Sequence, residues 1–441
     1  MPNRYTNPKL IKETLDEYVM GQEKGTKAVA MAMAQHLRQI ESRKYFPRGN
    51  FPSDNVLIIG PTGCGKTETV RVLQKIEEEI ECPVLMFNIL DYAATKTWLG
   101  DSITNIFDKI IERACQIYYN KYGKNAKINE QEKEITNIAN NAIIFLDEFD
   151  KIAIDSEGRT RQFLKEYQSN LLKIIEGNTY EITLTVETEE EKPNTKEESS
   201  GNSTVTTVTL DSTNMMFVLL GAFDGIQDIT LNRLESERRK KEKSNKPKHT
   251  SYQDTTLGFM VRPHPQPEKP KYIKYTYEQM IPSQEDIIQY GFMRELVGRI
   301  AVRTVYKPLS TDNLIEILLN SRTSAYREYQ RRFRQDNLDL KCNRDALREI
   351  AKIAVSRGTG ARGLRTIFDE LCRETLYDLA GDQRFIRCLL RGKEIREHKP
   401  PLLHDRTQLE ILQHFKYWNK INKKTKKQIK EKQNKNPKIY K

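Results

Sequence analysis

At 441 residues the chain exceeds the size at which a single hydrophobic core stops growing, so two folded units joined by irregular segments are expected. Its 37% hydrophobic and 30% charged residues suit a globular protein with a polar surface, and the apolar run Met215 to Leu220 is far shorter than the ~20 residues of a spanning helix, which argues against a membrane protein. The formal charge of +12 raises nucleic acid or an acidic surface as partner, yet much of it is local: Lys420 to Lys441 holds ten lysines against one acid, Glu431.

The N-terminal stretch MPNRYTNPKLIKETLDEY lacks the apolar centre of a secretory signal, so a cytoplasmic location is expected. Cys64, Cys82, Cys115, Cys342, Cys372 and Cys388 form no Cys-x-x-Cys pair, and the histidines add no zinc spacing, so free thiols are expected. The first apolar run, VLIIG, leads directly into GPTGCGKTETV. Gly60, Gly65, Lys66 and Thr67 satisfy G-x-x-x-x-G-K-[ST], with a strand before and a helix after, as a phosphate-binding loop requires. Glycines let the backbone wrap a phosphate so that amide N–H groups and the positive helix end point inward. Pro61, Thr62, Gly63, Cys64, Gly65, Lys66, Thr67 and Glu68 are therefore the expected nucleotide-binding set, with Lys66 on the terminal phosphates and the Thr67 hydroxyl on magnesium.

Helical stretches follow at Glu68 to Glu79 and Ser102 to Tyr119, then a second buried run, AIIFLDEFD. It delivers Asp147 and Glu148 at its C-terminal edge, where parallel sheets bind ligands. Asp147 is the expected magnesium ligand and Glu148 the base that deprotonates water for γ-phosphate hydrolysis. Thr179 to Leu210 reads as a hairpin insert, and MMFVLLGAF is a third buried strand. Leu234 to Gln279 is rich in lysine and proline and reads as a loop with little capacity for a core. These elements predict an α/β unit over residues 1–306, its parallel sheet covered by helices, with a hinge at Lys307 to Leu309. Residues 310–400 read as a smaller, mainly helical domain and 401–441 as a basic, disordered tail. Arg299, in GFMRELVGRI, and Arg362, in GTGARGLRTI, could by spacing alone be ordinary surface ion-pair residues.

Taken together, the blocks LDEYVMGQEKGTKAVAMA, GPTGCGKTETV, TWLGDSITNI, IIFLDEFDKIA, SNLLKIIEG, GAFDGI, GFMRELVGRI and SRGTGARGLRTIFDE resemble a ClpX-type AAA+ unfoldase from about residue 8 to about residue 380. HslU shares several blocks, but its long intermediate domain has no counterpart here. The resemblance implies a homo-hexameric ring that binds ATP and Mg2+ and pulls protein substrates through an axial pore. It implies that Val19 and Met20 line the adenine pocket, that Arg299 reaches the neighbouring subunit's ATP, and that Arg362 reports the γ-phosphate to the small domain. Trp98 and Leu99 fall at the family's pore loop, with TWLG in place of Gly-Tyr-Val-Gly. Leu257, Gly258 and Phe259 fall at the loop that docks on a ClpP-type peptidase.

Two departures alter the expectation. The family's N-terminal zinc module has no counterpart before residue 8, and the hairpin that is basic in the family is acidic here around Glu187, Glu189, Glu190, Glu191, Glu197 and Glu198. Delivery of substrates is therefore expected to differ, since a negative rim repels a terminal carboxylate. An unfoldase feeding a peptidase is the leading reading, with a stand-alone remodeller as the alternative. A nucleic-acid motor ranks last, because no basic face with interleaved aromatics lies inside the folded core.

Overall fold

The apolar runs read from the sequence become central strands, and two further segments flank them. In a computed structural model, which describes residues 4–45, 54–93, 100–123, 127–154, 161–188, 202–244, 275–382, 384–405 and 407–408, the chain divides into two compact units, Met1–Pro308 and Leu309–Lys441. Numbered in chain order, the first unit holds strands Asn55–Ile59 (β1), Val84–Asn88 (β2), Ile143–Asp147 (β3), Thr179–Thr188 (β4), Asn202–Asp211 (β5), Met216–Gly221 (β6) and Ile300–Val305 (β7). Five of them make a parallel sheet in the order β2-β3-β6-β1-β7. Every residue of β1 and β6 is buried, as strands covered on both faces require.

Alternation along the strands feeds two cores. Leu57, Ile59, Ile144, Leu146, Phe217 and Leu219 face one side, under the helices Gly100–Tyr122, Ile128–Asn140 and Arg161–Glu176. Val56, Ile58, Ile143, Phe145, Val218 and Leu220 face the other, under Pro8–Asp16, Glu23–Tyr45 and Lys66–Gln74. β4 and β5 form a separate antiparallel ribbon, in register from Thr179 opposite Asp211 to Thr188 opposite Asn202. Ile182, Leu184 and Val186 bury one face of that ribbon in the first core, and Tyr180 stacks on Phe107 with ring centroids 4.1 Å apart. The acidic tip between the two strands, residues 189–201, lies outside the described residues.

Three expectations change. The helix expected from Glu68 to Glu79 is two pieces, Lys66–Gln74 and Glu77–Ile80, because the chain bends to turn Glu77 inward. There its carboxylate accepts from Val84 N–H at 3.1 Å, at the head of β2, and pairs with Arg113. The segment read as loop from Leu234 instead continues the helix Ile226–Ser244. Its lysines, arginines and glutamates are good helix formers, and pairs such as Arg233 with Glu237 at 2.8 Å stabilise a helix without any core.

In the second unit, helices Thr311–Asn320, Ala325–Gln335, Arg344–Ser356 and Gly360–Asp378 enclose a core that includes Leu314, Phe333, Ile350 and Phe368. A sheet of Asp339–Cys342 (β8), Phe385–Leu390 (β9) and Leu402–Asp405 (β10) completes it, with β9 central. The segment expected as tail from 401 instead contributes β10, which pairs Leu402 with Leu389 and Leu403 with Cys388; residues 409–441 lie outside the described residues. Among the described residues no helix is long and apolar enough to cross a membrane.

Candidate functional site

β1 runs without a break into the glycine loop. Gly60 still bonds as a strand residue, its N–H donating to Gly221 O at 3.1 Å, and it has no room for a side chain: a Cβ would lie 2.5 Å from Tyr306 O. Gly63 and Gly65, at φ +75° and +110°, then reverse the chain in the left-handed region, and the Lys66–Gln74 helix begins at once. The amides of that first turn have no acceptors within the helix. Lys66 is buried, donates to the carbonyls of Gly60 and Pro61, and among the described residues has no carboxylate partner. A buried ammonium without a counter-charge beside open amides is a site built for an anion, so these residues fit a nucleotide's phosphates.

Neighbouring groups hold this loop from behind. Val19 is buried with its Cγ1 3.1 Å from where a Gly65 Cβ would stand, and Met20 beside it is half-buried. Tyr306, at the exit of β7, is fully buried beneath the loop, where its hydroxyl shares a hydrogen bond with Thr69 Oγ1 at 3.0 Å. The Gln22 amide donates to Cys64 O at 3.1 Å and to Lys307 O at 2.8 Å, while its carbonyl accepts from Lys307 N–H at 2.9 Å. Burial pushes the Cys64 thiol up despite nearby Lys66, which keeps it protonated and unreactive. Thr67 is half-buried, and Glu68 pairs with Arg71 at 3.4 Å.

The acid pair stands on the same edge of the sheet, with only β6 between its strand and β1. Leu146 pairs with Leu219 and Leu219 with Leu57, so Asp147 and Glu148 stand level with Ile58 and Ile59, the last residues of β1 before the phosphate loop, about 10 Å across at ordinary strand spacing. Both acids are half-buried, and Asp147 Oδ1 accepts from Glu148 N–H at 2.9 Å. Glu148 itself sits at φ +58° and ψ +31°, a left-handed conformation that costs a glutamate about 1 kcal/mol or more and recurs at working sites. A buried carboxylate two residues on, Asp150, accepts from Ala222 N–H at 3.1 Å and ties this turn to the end of β6. Among the described residues no cluster of three or more histidine, cysteine or acidic side chains could hold a metal by itself. Two oxygen ligands, Thr67 and Asp147, suit a magnesium ion that keeps its waters and phosphate ligands.

Arg299 lies at the opposite edge of the sheet. Its carbonyl accepts from Asn55 Nδ2 at 3.0 Å, at the head of β1, whereas the phosphate loop leaves the tail of that strand, roughly 16 Å away along five residues. The structure therefore does not bring Arg299 to the chain's own phosphate loop; its guanidinium pairs with Glu176 instead, at 2.6 Å. Arg362 belongs to the second unit, exposed in the first turn of Gly360–Asp378, with no ion-pair partner among the described residues. Trp98, Leu99, Leu257, Gly258 and Phe259 lie outside the described residues. Sequence reasoning missed Gln22, Asn55, Tyr306 and Gln168, a buried amide on the Arg161–Glu176 helix; a polar residue inside an apolar helical or strand face is the one signal that marks such groups.

The family model described as AAA domain (Cdc48 subfamily) matches residues 52–303, and the model for the C-terminal, D2-small domain, of ClpB protein matches residues 309–385. The chain is similar to the ATP-dependent Clp protease ATP-binding subunit ClpX of Treponema denticola, 31% identical over 377 residues that cover 84% of this chain and 77% of that protein. The subunits of the same name in Borrelia duttonii and Borrelia recurrentis are each 28% identical over 396 residues, 88% of this chain and 78% of theirs.

Proposed function

The chain belongs to the ClpX-type AAA+ ATPases, and from that membership we propose that it assembles as a homo-hexameric ring, threads protein substrates through the centre and delivers them to a ClpP-type peptidase. Nucleotide binding and ATP-dependent protein unfolding are properties of the family. The observation that carries the site assignment is the level placement of the glycine loop and the acid pair on one sheet edge, separated by β6. The peptidase partnership draws on the relatives' own names, each a Clp protease ATP-binding subunit.

In this reading Lys66 and the loop amides from Pro61 to Thr67 bind the phosphates, and Val19 and Met20 take the adenine. Thr67 and Asp147 hold Mg2+. Bound Mg2+ and ATP supply an electrophilic γ-phosphoryl group whose transfer to water releases the free energy for pulling. Glu148, in a strained backbone conformation just past the strand end, takes the proton from the attacking water. Arg299 stabilises transition-state charge in the neighbouring chain's site, which its position on the far edge supports. Arg362, which has no ion-pair partner among the described residues, senses the γ-phosphate. Trp98 and Leu99 press on the moving polypeptide, and Leu257, Gly258 and Phe259 dock the peptidase.

The test is Glu148→Gln. The variant binds a fluorescent ATP analogue as the unaltered chain does, loses turnover, and traps substrates from cell extract. Normal turnover would remove Glu148 from the chemistry, and failure of the unaltered chain to bind the analogue with Mg2+ would end the assignment of the site. Co-purification of a ClpP-type peptidase, abolished by Phe259→Ala, tests the partnership.

A further inference from the structure

The Arg161–Glu176 helix carries a side chain that the site described so far does not use. Gln168 is fully buried, and its amide bonds to three main-chain groups: Nε2 donates to Ile152 O at 2.8 Å and to Gly291 O at 3.1 Å, while Oε1 accepts from Met293 N–H at 2.8 Å. Ile152 ends the short turn that begins immediately after Glu148. Gly291 and Met293 belong to the loop that enters the Arg294–Gly298 helix, which Arg299 terminates. Gln168 therefore joins the segment of the catalytic acid to the segment of the arginine.

Two further contacts weld the same segments. Ile154 N–H donates to Gly291 O at 2.9 Å, and the backbones approach so closely that a Cβ on Gly291, at φ +125°, would stand 2.6 Å from Ile154 O. Phe149, next to Glu148, stacks on Phe292 with ring centroids 4.8 Å apart. At the end of the same helix, Glu176 holds the Arg299 guanidinium through Nε at 3.0 Å and through the terminal nitrogen at 2.6 Å.

We propose that Gln168 is a positioning residue for two active sites of the ring at once: its own chain's, by fixing the turn that carries Glu148, and the neighbour's, by fixing the loop that presents Arg299. The proposal rests on the reading of Arg299 as acting in the neighbouring site. A buried amide with three main-chain partners has no slack. Moving either segment alone strands a buried carbonyl or N–H without a partner, so the two segments shift together or not at all.

Mixed rings of full-length chains test this. Gln168→Met keeps the side-chain volume and removes all three bonds. It is expected to lower turnover about tenfold or more while nucleotide affinity changes less than about threefold. Mixing Glu148→Gln with Arg299→Ala chains is the control, since with random assembly about one site in four then combines an intact acid with an intact arginine, and turnover returns. Gln168→Met is expected to recover turnover with neither of those partners. Recovery with either one, to the level of the control, overturns the two-site role, and so does a loss of nucleotide affinity beyond about tenfold, which marks a merely structural residue. A silent control overturns the trans reading of Arg299, and the two-site role falls with it. Should Gln168→Met fail to fold, hydrogen exchange on the unaltered chain decides. A non-hydrolysable ATP analogue is expected to slow exchange in residues 149–154 and 290–299 together, and protection confined to 149–154 overturns the coupling.

Discussion

Acidification should destabilise the first unit through one imidazole. His36, on the Glu23–Tyr45 helix, is fully buried, and its Nε2–H donates to Asn141 O at 2.9 Å, the carbonyl that also accepts from the Cys82 thiol at 2.8 Å. Burial pushes His36 from 6.5 down to about 4; the Asn141 bond opposes it in part, and the positive charge of Arg43 adds a smaller downward push. Below pH 6.5 the unfolded chain takes up a proton that the folded chain refuses. The stability is therefore fully present above pH 6.5 and is lost as the pH falls toward 4, roughly 1–2 kcal/mol by pH 5.5 and roughly 2–3 kcal/mol by pH 4.5. The assay is urea unfolding followed by circular dichroism at pH 7.5, 5.5 and 4.5, on the full chain and on His36→Gln, whose amide donates to Asn141 O without titrating. Carboxylates titrate in both proteins and cancel in the difference. Equal losses in the two proteins would refute the reasoning.

Gly60→Ala places a methyl 2.5 Å from Tyr306 O and 2.9 Å from Tyr306 Cβ, contacts that cannot swing away, so the phosphate loop must shift. Affinity for a fluorescent ATP analogue should fall about tenfold or more and stability by about 1–3 kcal/mol, and unchanged affinity would show the loop tolerates the shift. Arg233 donates to both oxygens of the buried Asp286 carboxylate, at 2.9 and 3.0 Å; Arg233→Ala strands that charge and should cost about 3 kcal/mol in chemical denaturation. A cost under about 0.5 kcal/mol would mean water reaches Asp286. Trp98→Ala should keep ATP turnover but lose unfolding of a stable substrate, and normal unfolding would remove Trp98 from the pore.

The chemistry was legible where the residues that share it are neighbours in the chain. Gly60 to Thr67 is a contiguous turn, and Asp147 with Glu148 ends an unbroken apolar run, so both carried their meaning locally. β1, β3 and β6 were legible because burial on both faces leaves continuous apolar runs. The edge strands β2 and β7 were not: VLMFN holds only four apolar residues, too few to separate from a buried helix, and Arg303 and Thr304 interrupt IAVRTV. The small unit's β8, β9 and β10 are four to six residues long and partly exposed, too short for a period to emerge. The tethers were invisible for a different reason. Gln22 and Gln168 bond to main-chain atoms as far as 285 and 125 residues away, and a carbonyl's identity leaves no mark on the sequence.

β1 has a parallel neighbour on each flank, β6 and β7, and the nucleotide cradle hangs from its end. A motor that drags on folded proteins feels an equal recoil in its own frame. Tension directed along that strand would have to shear two ladders of hydrogen bonds simultaneously rather than unzip them rung by rung. Under overload the outermost strand on the far side, β2, which holds no part of the cradle, would peel first, so a stalled machine could slip and re-grip instead of tearing its engine apart.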